Sequence, residues 1–328
     1  MSVFTNTDLY PHRFSVAPMM NWTDRNCRFF HRQLSKNALL YTEMVTTGAL
    51  IHADAHRFLK YHEAEHPVAL QLGGSNADEL AQCSKLGEKY GYDEINLNIG
   101  CPSDRVQNGM IGAILMGHKE LVGDCVAKMK AASDVPVVVK HRIGIDDFDS
   151  EEFLFDFVDH VASRGCDTFV VHARKAILKG LSPKENREIP PINYQRVYDL
   201  KKAFPDLNIV INGAIDSIDQ CHEHLKHCDG VMLGRKAYAD PRLLMQVDHE
   251  FYGADAPDEE QIVRETILKV KQYIKSEEIP LKYITRHMLG LFSSVKGAKQ
   301  YRRHLSEYAP KCVDRIQVLE DALGFVGY

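Results

Sequence analysis

The sequence predicts an α/β protein: a (β/α)8 TIM barrel followed by a small, all-helical C-terminal domain. Short runs of β-branched residues, such as Val137–Val139 and Ile209–Ile211, are typical of strands buried on both faces of a parallel sheet. Helical patterns separate such runs in a strand–helix rhythm over about 250 residues, the usual size of this barrel. Beyond a Gly/Pro/Asp-rich stretch at Tyr252–Pro257, the apolar spacing is helical only.

Eight strands and five intervening helices follow from these patterns. A doubly wound sheet is the alternative, but no G-x-G-x-x-G follows the first strand. The strands are predicted at Phe14–Ala17, Leu39–Thr42, Val68–Leu72, Glu94–Asn98, Val137–Lys140, Thr168–His172, Asn208–Asn212 and Gly230–Leu233. The helices are predicted at Asn76–Tyr90, Lys119–Ala132, Ser150–Arg164, Tyr194–Phe204 and Ser217–His227.

We therefore divide the chain into a catalytic barrel, residues 1–253, and a helical domain, residues 254–328. In the second part, Glu259–Lys275 has strong helical spacing, and two or three further helices are expected after it.

Charge separates the two parts. The 328 residues carry a net charge of −5, so the whole chain is not a basic nucleic-acid binder. The stretch Lys282–Lys311, however, holds seven basic residues and one acidic residue. A helix carrying Lys296, Lys299, Arg302 and Arg303, with Tyr301 and His304, is expected either to bind an anionic backbone or to be a solvated face.

Other features bound the function class. No run of about 18 apolar residues is present and the N-terminus is polar, so we expect neither a membrane span nor a secretory signal. Eight cysteines without a C-x-x-C pair indicate reduced thiols in a cytoplasmic protein. One group of potential metal ligands comprises Cys221, His222, His224, His227 and Cys228. These side chains would point in several directions around a helix, so no metal site is expected. Separately, the protein is expected to be a monomer.

Barrel enzymes build their active sites at the C-terminal ends of the strands, and functional groups follow most strands here. Asn212-Gly213-Ala214 and Gly234-Arg235 favour phosphate binding, because glycine admits an anion to the backbone and arginine adds charge; tight turns are the alternative. Lys140 and His172 end neighbouring strands and are suited to the anionic ring of a reduced flavin. A lone Lys140 could instead form a Schiff base, as in an aldolase.

Cys101 lies between a glycine and a proline at the end of the fourth strand. A polar loop, Ser103–Asn108, follows it and forms a possible lid. A free cysteine is most often a small buried hydrophobe, but a position on the rim indicates proton transfer or nucleophilic attack.

The segment Leu97–Pro102 resembles the signature of the tRNA-dihydrouridine synthase family. The segments APMM, VALQLGG, VKHRIG, VVHAR, INGA and MLGR fit that family in the same order, and residues 174–191 and 284–292 resemble its A-type members. The resemblance covers essentially the whole chain. It implies reduction of uridines at D-loop positions 20 and 20a of tRNA, with FMN as prosthetic group and NADPH as reductant.

The resemblance also implies residue roles. A flipped uridine would receive a hydride at C6 of uracil from reduced FMN and a proton at C5 from Cys101, the catalytic residue. The remaining roles concern FMN, uracil and tRNA. The FMN ring and ribityl would contact Ala17, Pro18, Met19, Gln71, Lys140 and His172, and the FMN phosphate would contact Asn212, Gly213, Ala214, Gly234 and Arg235. Asn98 would bind the uracil. The tRNA would be contacted by Lys184, Arg187, Gln300 and Arg303.

One departure from the family pattern is Ala214, where a glycine is expected. An alanine is tolerable there if φ is negative and awkward if φ is positive.

Three other readings remain. A flavin barrel reductase acting on a free small molecule would survive deletion after about Gly253, whereas a tRNA enzyme would not. A Schiff-base aldolase would be trapped on Lys140 by borohydride, and a non-catalytic tRNA-binding barrel would bind RNA tightly without flavin.

Overall fold

The computed structural model describes residues 11–103 and 109–328. Eight parallel strands close into a barrel, because the first strand pairs with both the second and the last, and the second also pairs with the strand at Val68–Gly73. The predicted barrel is thus confirmed. In chain order the strands are β1 (Phe14–Val16), β2 (Leu39–Tyr41), β3 (Val45–Thr46), β4 (Val68–Gly73), β5 (Glu94–Ile99), β6 (Val137–Arg142), β7 (Thr168–His172), β8 (Asn208–Asn212) and β9 (Gly230–Leu233).

All eight predicted strands are present, and the last three have the predicted bounds. The additional β3 has two residues and pairs in parallel with the C-terminal end of β4. Successive side chains of a strand point to opposite faces, so each strand contributes to two cores. One cluster fills the barrel interior: Ala17, Leu39, Tyr41, Ala69, Val138, Val170, Val210 and Met232.

Helices cover the outside of the barrel, and the five predicted ones are confirmed to within a few residues. Their starts follow ordinary capping chemistry: the Asn76 side chain, for example, accepts from the amides of Asp78 and Glu79. The helices of the barrel part are α1 (Arg25–Leu34), α2 (Thr47–His52), α3 (Ala55–Leu59), α4 (Ala77–Tyr90), α5 (Lys119–Ala132), α6 (Glu151–Ser163), α7 (Tyr194–Ala203), α8 (Ile218–His224), α9 (Arg235–Ala239) and α10 (Leu244–Tyr252).

The C-terminal part is helical, as predicted. Gly253 ends α10 with a φ of 71°, and an irregular segment leads to Glu259. Three helices follow the long first one, within the predicted number. The helices are α11 (Glu259–Ser276), α12 (Lys282–Met288), α13 (Ala298–Tyr308) and α14 (Arg315–Gly324).

Helix α11 packs directly on α1 of the barrel part. The rings of Phe29 and Tyr273 stack with centroids 3.9 Å apart, and the Tyr273 hydroxyl donates to Asn26 over 2.9 Å. One continuous apolar core therefore joins the two parts. The division of the chain into two separate domains, residues 1–253 and 254–328, stays a prediction. Within the described ranges, no helix has the length and apolar content needed to span a bilayer.

Candidate active site at the barrel mouth

The ends of β1 and β9 lie side by side at the mouth. The Ala17 amide donates to the Leu233 carbonyl over 2.7 Å. A Cβ placed on Gly234 would lie 3.6 Å from Ala17 Cβ and 3.7 Å from Met19 Sδ. The predicted residues of the first and last rim loops are therefore brought together.

The turn after β8 has a backbone that favours glycine. Gly213 has a φ of 125°, and a Cβ there would lie 2.8 Å from the His172 ring. Ala214 has a φ of 51°, which is the awkward case for a side chain. This turn thus passes close under His172 and leaves Ala214 exposed in left-handed backbone.

Lys140 and Asn212 meet at the mouth. The ammonium donates to Asn212 Oδ1 over 3.1 Å, and the Asn212 amide donates to the Met232 carbonyl over 2.8 Å. Burial and the nearby Arg142 lower the pKa of Lys140 to about 7. Lys140 is therefore poised to gain a proton when an anion binds beside it.

His172 lies among cations. Burial lowers the pKa of His172 well below its usual range, and Arg142, Lys140, Arg174 and Arg187 lower it further. The imidazole is consequently neutral at pH 7. Arg235 also acts on Arg174 and Arg187, and its guanidinium pairs with Glu188 over 3.0 Å, with both groups exposed. The mouth is strongly electropositive.

Arg142 is a site residue that the sequence reasoning missed. Its Nε donates to the Gly100 carbonyl over 2.9 Å, and its Nη1 donates to the carbonyls of Lys175 and Asn186 over 3.0 and 3.1 Å. It thereby ties the turn before Cys101 to the long loop after β7. The signal was present, because Arg142 follows Val138 and Lys140 at a period of two and so shares their face of β6.

Cys101 is half-buried at the mouth and is not part of a disulfide bond. Its position is set by Asn98, whose Oδ1 accepts from the amides of Gly100 and Cys101 over 3.0 and 2.9 Å. Ala113 donates to the Cys101 carbonyl over 2.9 Å. Residues 104–108 of the possible lid lie outside the described residues.

Asn98 is largely committed to the protein. Its amide nitrogen donates to Gln71 Oε1 over 2.8 Å, which leaves one amide hydrogen for a substrate. The contact of Asn98 with uracil stays a prediction, and it would use this remaining amide hydrogen.

The four residues predicted to contact tRNA lie in two places. Lys184 and Arg187 are exposed in the loop after β7, which the fully buried Asn186 organises by donating to the carbonyls of Ile177 and Leu181. Gln300 and Arg303 are exposed on α13, with Arg303 donating to Glu307 over 2.8 Å.

Tyr301 does not lie on this basic face, contrary to the expectation from the sequence. It is fully buried against Phe292, because the positions Ala298, Tyr301 and Leu305 form the apolar stripe of α13. The helical spacing of these apolar residues would have been enough to predict that Tyr301 is buried.

The three histidines between Cys221 and Cys228 have ordinary partners. Tyr198 bonds His224 over 2.7 Å and stacks on His227, while His222 pairs with Glu250 over 2.8 Å. No group of three or more potential metal ligands is assembled within residues 11–103 and 109–328.

Solved structures with a related fold have low sequence identity to this chain. A 2-naphthoyl-CoA reductase in complex with 2-naphthoyl-CoA has a TM-score of 0.57 at 11% identity, covering 72% of this chain and 50% of that one. An old yellow enzyme homologue from Zymomonas mobilis has a TM-score of 0.53 at 12% identity, covering 75% and 90%. At this identity the likeness shows the fold alone.

Sequence comparison is far more specific. The model of the dihydrouridine synthase family matches residues 15–325. The tRNA-dihydrouridine(20/20a) synthase of Vibrio parahaemolyticus is 58% identical over 315 residues, covering 95% of this chain and 96% of the relative. That of Escherichia coli K12 is 58% identical over 318 residues, covering 96% and 91%. With a family match over nearly its full length and relatives this similar, the chain belongs to the dihydrouridine synthase family.

Proposed function

We propose that this protein reduces uridine to 5,6-dihydrouridine in the D-loop of tRNA, at positions 20 and 20a, using FMN and NADPH in the cytoplasm. The observation that carries the proposal is the placement of a half-buried Cys101 thiol beside an electropositive barrel mouth, in a chain of this family. The substrate positions rest on the names of the relatives.

The residues at the mouth fit a flavin mononucleotide. Gly213 and Gly234 carry no side chain that would keep a phosphate from the backbone amides of the two turns, and the missing Cβ of Gly213 also makes room for the His172 ring. Arg235 adds charge at the second turn, and Lys140 would stabilise an anionic ring. When bound, FMN would supply the hydride for C6 of uracil, and NADPH would restore the reduced cofactor.

The chain itself supplies the proton and the orientation. Cys101 is held by Asn98 through two backbone amides, and Arg142 fixes the carbonyl of Gly100. A cysteine thiol can act as a general acid, and Cys101 would donate its proton to C5 of the flipped base. Lys184 and Arg187, next to the mouth, would hold the RNA backbone around that base.

The deciding experiment is the visible absorption spectrum of the purified protein, mixed anaerobically with NADPH and then with unmodified tRNA. The proposal requires a flavin band that bleaches with NADPH and returns on adding tRNA. Free uridine in place of tRNA is the control for a small-molecule reductase and should not restore the band. A colourless protein that FMN does not reconstitute contradicts the proposal.

A further inference from the structure

A line of polar side chains runs through the barrel interior below Cys101. Asn98 donates to Gln71 over 2.8 Å, Gln71 donates to Asn96 Oδ1 over 2.9 Å, and Asn96 donates to Glu94 Oε1 over 3.4 Å. Glu94, Asn96 and Asn98 alternate along β5 and share its inner face, while Gln71 stands in register with Asn96 on β4. Each link is buried or nearly so.

The lower end of this line is a carboxylate with several donors. Tyr41 donates to Glu94 Oε1 over 2.7 Å, reaching past the small Ala69, and His12 bonds the other carboxylate oxygen. Burial alone would lower the pKa of His12, but the charge of Glu94 outweighs it and the pKa is raised. The two oxygens of Glu94 thus face the Tyr41 hydroxyl, the His12 ring and the Asn96 amide, so Glu94 is the acceptor at this end of the line.

The amide of Asn208 can accommodate a protonated His12. Its nitrogen stands 3.3 Å from His12 Nδ1, and its buried oxygen has no partner. The oxygen and nitrogen of an amide are nearly indistinguishable by shape. Rotating the amide by 180° would place the oxygen beside His12 Nδ1, where it can accept if that nitrogen carries a proton.

An acceptor at one end imposes a direction on the whole line. Asn96 must turn its nitrogen to Glu94, which leaves its oxygen for Gln71; Gln71 then turns its oxygen to Asn98. Asn98 is left with its oxygen facing the amides of Gly100 and Cys101, the orientation in which both are bonded. Reversal at any link would set two donors, or two acceptors, against each other.

We propose that Glu94 and Asn96 are positioning residues, which act through Gln71 and Asn98 to fix the amide orientation that holds Cys101. This inference deepens the proposed function, since it assumes that the placement of Cys101 matters for protonation. Filling the interior does not require Asn96: Val138, Val170 and Val210 occupy the same interior cluster. A buried amide among them costs stability unless it is bonded, so its polar bonds are the reason for its presence.

The test measures amide hydrogen exchange at Gly100 and Cys101 in the protein without substrate. Asn96→Leu breaks the line, and Glu94→Gln keeps its shape but replaces the acceptor-only end with a group that also donates. Val138→Ala is the matched control, because Val138 lies in register with Asn96 on the neighbouring strand and bears no polar group.

We expect exchange at these two amides to rise about tenfold in both polar variants, relative to the amides of β7, and to stay unchanged in Val138→Ala. Turnover of tRNA should fall by about 10- to 100-fold in kcat with little change in KM, because Lys184, Arg187, Gln300 and Arg303, the proposed contacts to the tRNA backbone, are untouched. Equal exchange in Asn96→Leu, Glu94→Gln and Val138→Ala overturns the inference. If Asn96→Leu does not fold, Glu94→Gln decides it alone. A wild-type protein that forms no dihydrouridine contradicts the proposed function, while the exchange measurement still decides the role of Glu94 and Asn96.

Discussion

The Lys140 ammonium donates to the side-chain oxygen of Asn212 over 3.1 Å, across the end of the strand between them. The pKa of Lys140 is about 7 in the fold and about 10.4 in an unfolded chain, so the unfolded state binds more protons between these values. Stability from this group must therefore rise as pH increases from about 7 to 10. We expect the unfolding free energy of wild type to rise over this window relative to Lys140→Met, measured by urea titration without cofactor.

The exposed Lys202, on α7, is the control for that experiment. Lys202→Met should run parallel to wild type across the same pH range. If the profile of unfolding free energy against pH for Lys140→Met also ran parallel to that of wild type, the pKa of Lys140 would not be lowered in the fold.

Cys101→Ala removes the proposed proton donor and leaves the glycine turns and cations in place. We expect the variant to bind FMN and oxidise NADPH as wild type does, yet to form no dihydrouridine when tRNA is digested and its nucleosides are analysed. Cys312, the other half-buried thiol, provides the control, and Cys312→Ala should be fully active. A normal product yield from Cys101→Ala would remove Cys101 from the reaction.

Ala214→Gly should stabilise the protein, because the alanine occupies left-handed backbone with a φ of 51°. The expected gain is about 1 kcal/mol in unfolding free energy, seen as a higher melting temperature. The same change at Ala127, inside α5, should instead cost about 1 kcal/mol. A lower melting temperature for Ala214→Gly would mean that the side chain has a compensating contact.

Asp24 joins the first rim loop to the C-terminal helices. Its carboxylate caps α1, accepts from Arg286 over 2.6 Å and lies 3.0 Å from His287 Nε2. Burial alone would raise the pKa of Asp24, but the His287 hydrogen bond and the Arg286 charge outweigh it and the pKa is lowered.

Asp24→Asn should therefore lower the unfolding free energy by about 1–3 kcal/mol at pH 7. A depressed carboxyl pKa contributes stability above the unfolded value near 3.9 and loses it as pH falls through the folded value, so the difference should shrink below about pH 4. Asp54, which caps α3 through a local bond to His56, is the matched control. A constant difference down to pH 2 would mean that the charge of Asp24 is unimportant.

Arg303 tests the proposed RNA surface on α13. We expect Arg303→Ala to weaken tRNA binding and to reduce the slope of log K against log salt by about one. Arg264→Ala is matched, because Arg264 is likewise exposed and paired with a glutamate one helical turn away. Identical salt slopes for both variants and wild type would place the RNA elsewhere.

Charge variants are a cleaner test of that surface than the deletion after Gly253. Removing α11 would strip Tyr273 from Phe29 and uncover the face of α1. Lost activity would then report unfolding as much as lost RNA binding.

The strands were predictable because a strand that is buried on both faces has a continuous run of apolar residues, as at Val137–Val139. Helix α1 was not predicted, because Arg28 and Arg32 are charged residues on its buried face. Arg28 pairs with the buried Glu65, and Arg32 donates to the carbonyls of Ser35, Ala38 and Pro67. Glu65 and Pro67 are distant in sequence and give no local signal, so these two arginines look like a solvated surface.

The site divides in the same way. Rim residues such as Lys140, His172 and Cys101 follow from their places at strand ends. The left-handed conformation of Ala214 depends on the turn that Gly213 makes beneath His172 and is not encoded in the residue type. The roles of Arg142 and Asn96 depend on which carbonyls and amides other loops bring within reach.

The stacking of α11 on α1 bears on how new specificities can be engineered. A chimera that exchanges residues 254–328 between two family members would cut through a shared apolar core and through the contacts of Asp24 with Arg286 and His287. The exchangeable unit for grafting is therefore discontinuous: it comprises the C-terminal helices together with the segment from Trp22 to Leu34, which carries Asp24, Asn26 and Phe29.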